Sequence, residues 1–564
     1  MRGLLLVLGG VARLASAALV VVPLAALGLA AVIDRGPARE VGATPFHLAL
    51  GILDPFARAC AFNSLLVAAA VSAGSLVVGA GLSGLIVRWR FWGRAPLAAL
   101  VMASLAVPPL VGAIGVDRLL ERSGVSALAP RAPASWGGWL ALVWLGLASG
   151  VPWVALRTRA AWERIDPDWI DAARTAGAGR RRIAVSLVWP IVRPSAARGV
   201  ADVFAWTLLE PGAPWLLGMR RTLAFQVIDL AHSPGGPPRV AALGLVALVL
   251  AWAGRTLILW RGGPLPALPE AAVVRPRRAA AGQGALFAAL LGGWVALAYA
   301  PILATIGAAF VDAGDRSAAT SPLRDLAGSA EVRQLVENSF LLGLAVVAID
   351  LGLALALTSP RRPRSKRRRG LPLAQWPRSV PPLTLGIGAL LVPWVLGEVA
   401  DGLAAAGGHE VLAARLRGVA EGLDPYRSPG VLLAWAVALA RLPWVARAVE
   451  SARRRRRAVL AEAALTLGAS RRRAWWTATA PALRSALAGP LLLAWALAVG
   501  ESSSALILTP TSASRTIGPG VALLAHEPGG LRRAATLGVV LAAVNLAAFA
   551  LAGRADDGAG TPSL

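Results

Sequence analysis

Two stretches of this chain carry the same signature at a fixed offset. Asp171-Ala172-Ala173, then Gly177, then a closing Leu187-Val188-Trp189-Pro190 match Glu462-Ala463-Ala464, Gly468 and Ala478-Thr479-Ala480-Pro481 step for step. The repetition extends well beyond this pair. Asn63-Ser64-Leu65-Leu66 recurs as Asn338-Ser339-Phe340-Leu341, and Val107-Pro108-Pro109-Leu110 as Val380-Pro381-Pro382-Leu383. Pro152-Trp153-Val154-Ala155 recurs as Pro443-Trp444-Val445-Ala446, and Ala231-His232-Ser233-Pro234-Gly235-Gly236 as Ala525-His526-Glu527-Pro528-Gly529-Gly530. A chain that repeats in register in this way folds as two similar halves. We expect a first domain over 1–261, a linker over 262–283 and a second domain over 284–564.

The medium in which those halves fold follows from composition. Hydrophobic residues make up 56% of the 564 and charged residues only 15%, against about 25% charged in soluble globular chains. The apolar residues fall in runs of about 20, the length that crosses a bilayer as helix. The expected fold class is therefore an all-α polytopic membrane protein. Twelve spans are expected near 15–33, 62–87, 97–116, 137–156, 192–209, 240–260, 285–309, 338–358, 381–400, 429–446, 485–508 and 535–553. The opening Met1-Arg2 and Ala15-Ser16-Ala17 also fit a cleaved signal peptide. Against that, the apolar stretch runs on to Ile33, and its Val22-Pro23-Leu24 has a counterpart in Ala300-Pro301-Ile302.

The net charge of +27 does not point to nucleic acid, because its distribution has a topological cause. With the N-terminus inside and sides alternating, 38 of the 57 Arg and Lys lie at inner segments and inner span ends, against 18 in outer loops. This is the positive-inside pattern. The runs Arg361–Arg369 and Arg453–Arg457 fall inside, where anionic headgroups favour them. With an even number of spans, both halves insert the same way up, which places a pseudo-twofold axis along the membrane normal and a route between the halves.

Several chemistries are excluded. The lone Cys60 rules out an intramolecular disulfide and a Cys-based metal site, and His47, His232, His409 and His526 have no ligand spacing. Lys366 is the only lysine and no glycine-rich loop precedes it, so the chain lacks the phosphate-binding loop of an ordinary ATPase. No catalytic residue and no metal site are expected, and nothing supports an integral-membrane enzyme.

The doubled segment resembles the EAA loop of bacterial ABC importer permeases, a pattern of Glu-Ala-Ala, three residues, Gly, nine residues and Ile-x-Leu-Pro. Asp171 replaces the Glu in the first copy, and both tails depart from the pattern. The resemblance implies that each loop forms a short helix docking into a groove on a separate ATPase subunit, two copies per chain. Asp171, Ala172, Ala173, Gly177, Glu462, Ala463, Ala464 and Gly468 would carry the coupling. ATP is then used by that partner, and this chain binds no cofactor. It further implies a periplasmic or lipid-anchored substrate-binding protein, contact with membrane lipid, and a bacterial inner membrane location with both termini cytoplasmic. The residue chemistry agrees: Asp166-Pro167 is a good helix start, and Gly177 and Gly468 suit left-handed helix ends. Pro190 and Pro481 mark an entry or a kink.

Polar residues at membrane depth are costly and mark function, so Asn63, Asp202, Glu210, Asn338, Asp350 and Glu501 are the candidates for the translocation path. Each also has a bland reading. Asn63 and Asn338 fit interhelical hydrogen bonds, Asp202 fits a pair with Arg198 one turn earlier, and Glu210 and Glu501 fit helix caps. The repeated outer segments 221–236 and 515–530 fit an outer gate or a re-entrant turn. Leu506-Ile507-Leu508-Thr509-Pro510 with Arg515-Thr516-Ile517 is similar to ferric-type permeases. Iron(III) therefore ranks first as substrate, then thiamine, then phosphonate or polyamine. The rival of another class is a secondary transporter driven by an ion gradient, which would not need two matched inner loops.

Overall fold

The computed structural model describes residues 17–35, 41–124, 136–233, 236–265, 276–310, 321–357, 374–428, 430–456, 459–474, 476–477 and 480–558. The signal-peptide reading of the first residues, the run Arg361–Arg369, Arg457, Pro234-Gly235, Ala478-Thr479 and residues 266–275 of the linker lie outside them.

In sequence order the main helices are α1 (Ala17–Ala30), α2 (Pro55–Arg88), α3 (Arg94–Ala103), α4 (Pro109–Arg122), α5 (Gly137–Glu163) and α6 (Pro167–Thr175). There follow α7 (Trp189–Leu208), α8 (Leu223–Ala231), α9 (Pro237–Gly262), α10 (Ala281–Phe310), α11 (Ala330–Leu357) and α12 (Pro382–Ala406). The last are α13 (Val431–Arg456), α14 (Val459–Thr466), α15 (Ala480–Val499), α16 (Ile517–His526) and α17 (Leu531–Gly558). Sheet among the described residues is confined to an antiparallel pair, β1 (Ile33–Arg35) with β2 (Val41–Ala43), and a short parallel pair, β3 (Trp89–Arg90) with β4 (Arg277–Arg278). The molecule is an all-α polytopic membrane protein. In hydrocarbon every backbone polar group must be satisfied within the chain, which leaves helix as the economical solution for these sequences.

All twelve expected segments fall on helix, but not all are plain spans. Among the described residues eight helices are long and apolar enough to cross outright: α2, α5, α9, α10, α11, α12, α13 and α17. The third expected span is two helices, α3 and α4, bent by 101°. Its break is Val107-Pro108-Pro109, where Pro108 takes an extended conformation at the N-terminus of α4. Two consecutive prolines cannot donate the backbone bonds that would carry a helix through. The first expected span is the short α1, the fifth (α7) holds Arg193, Arg198 and Asp202, and the eleventh is apolar only over Ala486–Val499.

The opening helix of each half packs on the other half. α10 lies along α4 and α17, with Thr305 Oγ1 donating to the Val111 carbonyl at 3.0 Å. Trp144 Nε1 donates to Leu297 O at 2.9 Å, and Trp435 Nε1 to Leu19 O at 2.9 Å. Trp144 and Trp435 stand at the offset that relates the paired loops, and Leu19 and Leu297 at the offset that relates Pro23 and Pro301. The two indole bonds are therefore counterparts. α1 in turn sits against α12, with Val20 packed among Leu385, Leu439 and Leu442.

Candidate functional site

The two repeated loops adopt one geometry. In the first, the Asp166 carboxylate caps α6 by accepting from Asp168 N at 2.9 Å. The helix ends at Gly177, with φ +79°, where Gly177 N donates to Arg174 O and Ala178 N to Ala173 O, both at 2.9 Å. In the second, α14 ends at Gly468, with φ +82°, and Gly468 N donates to Leu465 O and Ala469 N to Ala464 O, both at 3.0 Å. This paired bonding through a left-handed residue is the Schellman motif, which selects glycine. Ala172 and Ala463 are exposed and Ala173 and Ala464 half-buried, so each loop presents a low, smooth face. The Glu462 side chain lies outside the described residues. Beyond Gly177 the chain re-enters helix at Arg180–Ile183, widens to a π-helical turn over Ala184–Val188, and becomes α7 at Trp189. Pro190 cannot donate a helical hydrogen bond, and a wide turn before it accommodates that loss.

Asp171 does not stand alone. Its carboxylate accepts from Arg174 Nη1 at 3.3 Å and from Arg277 Nη2, an arginine of the segment joining the two halves. The Arg277 hydrogen bond, with the charges of Arg277 and Arg174, holds the Asp171 carboxyl below the usual carboxylate range.

Between the halves lies a cavity of about 270 Å³. Trp153 and Trp444, counterparts in the repeated Pro-Trp-Val-Ala, stack across it with ring centroids 5.0 Å apart and planes 19° from parallel. Pro108 and Pro381, from the repeated Val-Pro-Pro, line it as well. Glu210 and Glu501 close the end remote from the paired loops in matched fashion. Glu210 accepts from Gly212 N at 2.9 Å and Ala213 N at 3.1 Å, and Glu501 accepts from Ser503 N at 2.9 Å and Ser504 N at 3.3 Å. They are therefore turn caps and cavity walls at once. The match breaks at Arg441, whose Nη2 donates to Glu501 Oε2 at 2.6 Å. The counterpart of Arg441, two places before the repeated Pro-Trp-Val-Ala in the first half, is Gly150.

The expected pair of Asp202 with Arg198 does not form. Arg198 Nη1 donates to the Pro194 carbonyl of its own helix at 2.6 Å, because that carbonyl lies one turn back on the same face. Asp202 instead meets three guanidinium groups from three other elements: Arg255 Nη1 at 2.6 Å, Arg378 Nη2 at 2.5 Å and Arg157 Nη2 at 3.2 Å. Asp202 and Arg378 both line the cavity, and Arg157 lies 4.8 Å over the Trp153 ring.

Three of the six path candidates do not line this cavity. Asn63 Nδ2 donates to Arg221 O at 3.1 Å, and Asn338 Nδ2 to Arg515 O and Ala513 O at 2.8 Å each. The adjacent serines reinforce them: Ser64 Oγ accepts from Leu223 N and Ser339 Oγ from Ile517 N. These four side chains pin the starts of α8 and α16, the helices of the repeated outer segments. Asp350 is fully buried in α11, and neither carboxylate oxygen has a hydrogen-bond partner among the described residues. Counted from the repeated Asn-Ser pair, its counterpart in the first half is Ser75, whose hydroxyl is also unpartnered among the described residues. Arg157, Arg255 and Arg378 were counted in the sequence only as topology charges, and Arg441 only as the one arginine within span ten. Their signal was available, since an arginine inside an apolar run needs a partner, but which acid it meets depends on helix packing.

No family model matches the chain. Curated relatives do. The molybdenum transport system permease protein of Escherichia coli K12 is 30% identical over 196 residues, which cover 85% of that protein and 33% of this chain. The chain belongs to the ABC importer permease family. The sulfate transport system permease protein of the same strain is 30% identical over 149 residues, half of its length and 24% of this permease. A probable molybdenum ABC transporter permease of Haloferax volcanii is 27% identical over 187 residues, 68% of its length and 33% of this permease. This permease is thus a transport subunit of a multi-pass membrane system. Its relatives carry molybdenum and sulfate names, so the iron(III) and thiamine ranking drawn from Leu506–Pro510 finds no support among them.

Proposed function

We propose that this permease is the membrane-spanning subunit of an ABC importer for a tetrahedral oxyanion of the sulfate and molybdate class. Both permease domains, 1–261 and 284–564, are fused through the linker 262–283. The carrying observation is the arginine-bounded cavity between the halves, set above two loops of identical Schellman geometry. An anion passing through membrane depth needs such charge, and the names of the relatives point to the same class of cargo.

In this reading the paired loops face the cytoplasm, as do both termini, in a bacterial inner membrane. Each loop docks on one copy of a separate ATPase subunit, which uses the ATP. A periplasmic or lipid-anchored protein delivers the anion at the Glu210 and Glu501 end. Closure of the ATPase pair moves both loops, and the two halves rotate as rigid bodies to open one end of the cavity and shut the other. The small exposed alanines admit close approach, and the glycine-ended helices hold the loop shape under load.

The test is purification of the tagged permease from its native membrane with whatever accompanies it, followed by reconstitution. Two ATPase copies per chain and ATP-dependent uptake of labelled sulfate or molybdate are expected. A chain that purifies alone and transports without ATP would overturn the reading in favour of a gradient-driven carrier.

A further inference from the structure

Three arginines converge on the single Asp202 carboxylate, from α5, α9 and the short turn Trp376–Ser379 ahead of α12. Three positive charges against one negative leave this group with a formal charge of +2. Arg447 lies close enough to act electrostatically on Arg378, Asp202 and Arg255. Uncompensated charge at membrane depth is costly and is retained where it serves binding or transport. The group is not sealed either. The Asp202 side chain keeps 11% of its surface and Arg378 14%, and both face the cavity. Trp153 holds Arg157 from beneath. Planar guanidiniums arranged around one carboxylate are also arranged to bind a tetrahedral oxyanion through paired N–H donors.

We infer that this cluster is an oxyanion site within the translocation cavity, with Asp202 as a resident counter-ion that the passing anion displaces. This rests on the oxyanion reading of the cargo. An arginine cluster without an acid would hold a dianion too tightly to release it. The tethered carboxylate returns to the guanidiniums as the anion departs, so the site is never left with bare charge. Arg378 belongs to the half opposite Asp202, so relative movement of the halves changes how many arginines the anion meets. The cluster lies toward the paired-loop end, and the site thus acts late in passage.

The experiment is equilibrium binding of labelled sulfate and of molybdate to the purified full-length permease in detergent, for wild type, Asp202→Asn, Arg378→Gln and Arg157→Gln. Asp202→Asn should bind at least about tenfold tighter, since one competing charge in a partly desolvated site acts on that scale. Arg378→Gln and Arg157→Gln should each bind about tenfold weaker. An ion cluster that only holds helices together predicts the opposite for Asp202→Asn, with no gain in binding, and that result overturns the proposal. If Asp202→Asn does not fold, unchanged affinity in both arginine variants overturns it equally. Adding anionic lipid distinguishes a headgroup site: displacement of sulfate by lipid at equal concentration would show that the cluster holds lipid and sink the transport role. Uptake by the reconstituted transporter separates the two readings. Oxyanion uptake without a binding gain in Asp202→Asn refutes the site alone, whereas oxyanion binding in a transporter that imports another cargo refutes the proposed substrate.

Discussion

Gly115 and Pro301 meet backbone to backbone, so that a methyl group on Gly115 would come within 1.7 Å of the Pro301 carbonyl oxygen. Gly388 and Pro23 repeat the contact, with a methyl at 2.4 Å from the Pro23 carbonyl oxygen. Each glycine belongs to one half and each proline to the opening helix of the other. The permease is thus fastened at two equivalent points by helices that cross over.

These contacts give a stability prediction. Gly115→Ala must push α10 away from α4, and overpacking of this kind costs about 1–3 kcal/mol. Gly388→Ala should cost a similar amount on α1. The thermal midpoint in detergent should fall for each variant. Gly397→Ala, which lies on α12 with nothing within 4 Å of an added methyl, should leave it unchanged.

The loop glycines give a coupling prediction. Gly177→Ala and Gly468→Ala each place a side chain at a left-handed φ, +79° and +82° respectively, at a cost of about 1–2 kcal/mol. Neither glycine would meet another atom, so the strain is confined to the loop. Membrane insertion should hold and the thermal midpoint should fall only slightly, while ATP-driven uptake falls in each single variant and vanishes in the double. Full uptake in the double variant would refute the docking role of the loops.

A pH prediction follows from Asp171. Its folded-state carboxyl sits below the ordinary carboxylate range because Arg277 and Arg174 donate to it. A depressed value means that the contribution to stability is present above the unfolded value, about 3.9, and is lost as pH falls through the folded one. The difference in thermal midpoint between wild type and Asp171→Asn should therefore be constant from about pH 8 to 5 and close below about pH 4. Because the side chain is nearly half exposed, the difference should be small and should shrink further with added salt.

Helix content and the paired loops were legible because they rest on local chemistry. Runs of apolar residues force helix in lipid, and a glycine placed one turn beyond an Ala-Ala pair forces a left-handed stop. The break of the third span was readable in part, since Pro108-Pro109 forbids a continuous helix, but the 101° angle and the packing of α10 along α4 were not. The partner of Asp202 was not readable. Arg198 is nearer in sequence and on the same face, yet Arg255 and Arg378 lie 53 and 176 residues away; packing within the first half brings in Arg255, and packing of the halves brings in Arg378. The arginine cluster around Asp202 was illegible for the same reason, since its members come from separate elements.

The last prediction concerns a difference between the halves at the Glu210 and Glu501 end of the cavity. Arg441 pairs with Glu501 at 2.6 Å, with side chains only 16% and 4% exposed, while Glu210 has no arginine in the corresponding place. Removing one partner of a buried pair strands the other charge, at a cost of about 3–5 kcal/mol, whereas replacing both is often near neutral. Arg441→Met should therefore be much less stable than wild type, and Arg441→Met with Glu501→Gln should recover most of the loss. Glu501→Gln still offers a side-chain oxygen to Ser503 N and Ser504 N, so the turn cap survives in the double variant. Glu210→Gln, with no arginine to strand, should cost less than Glu501→Gln. A double-mutant cycle on thermal midpoint in detergent measures the coupling. A coupling near zero would show that Arg441 is held by its bond to the Leu497 carbonyl rather than by Glu501.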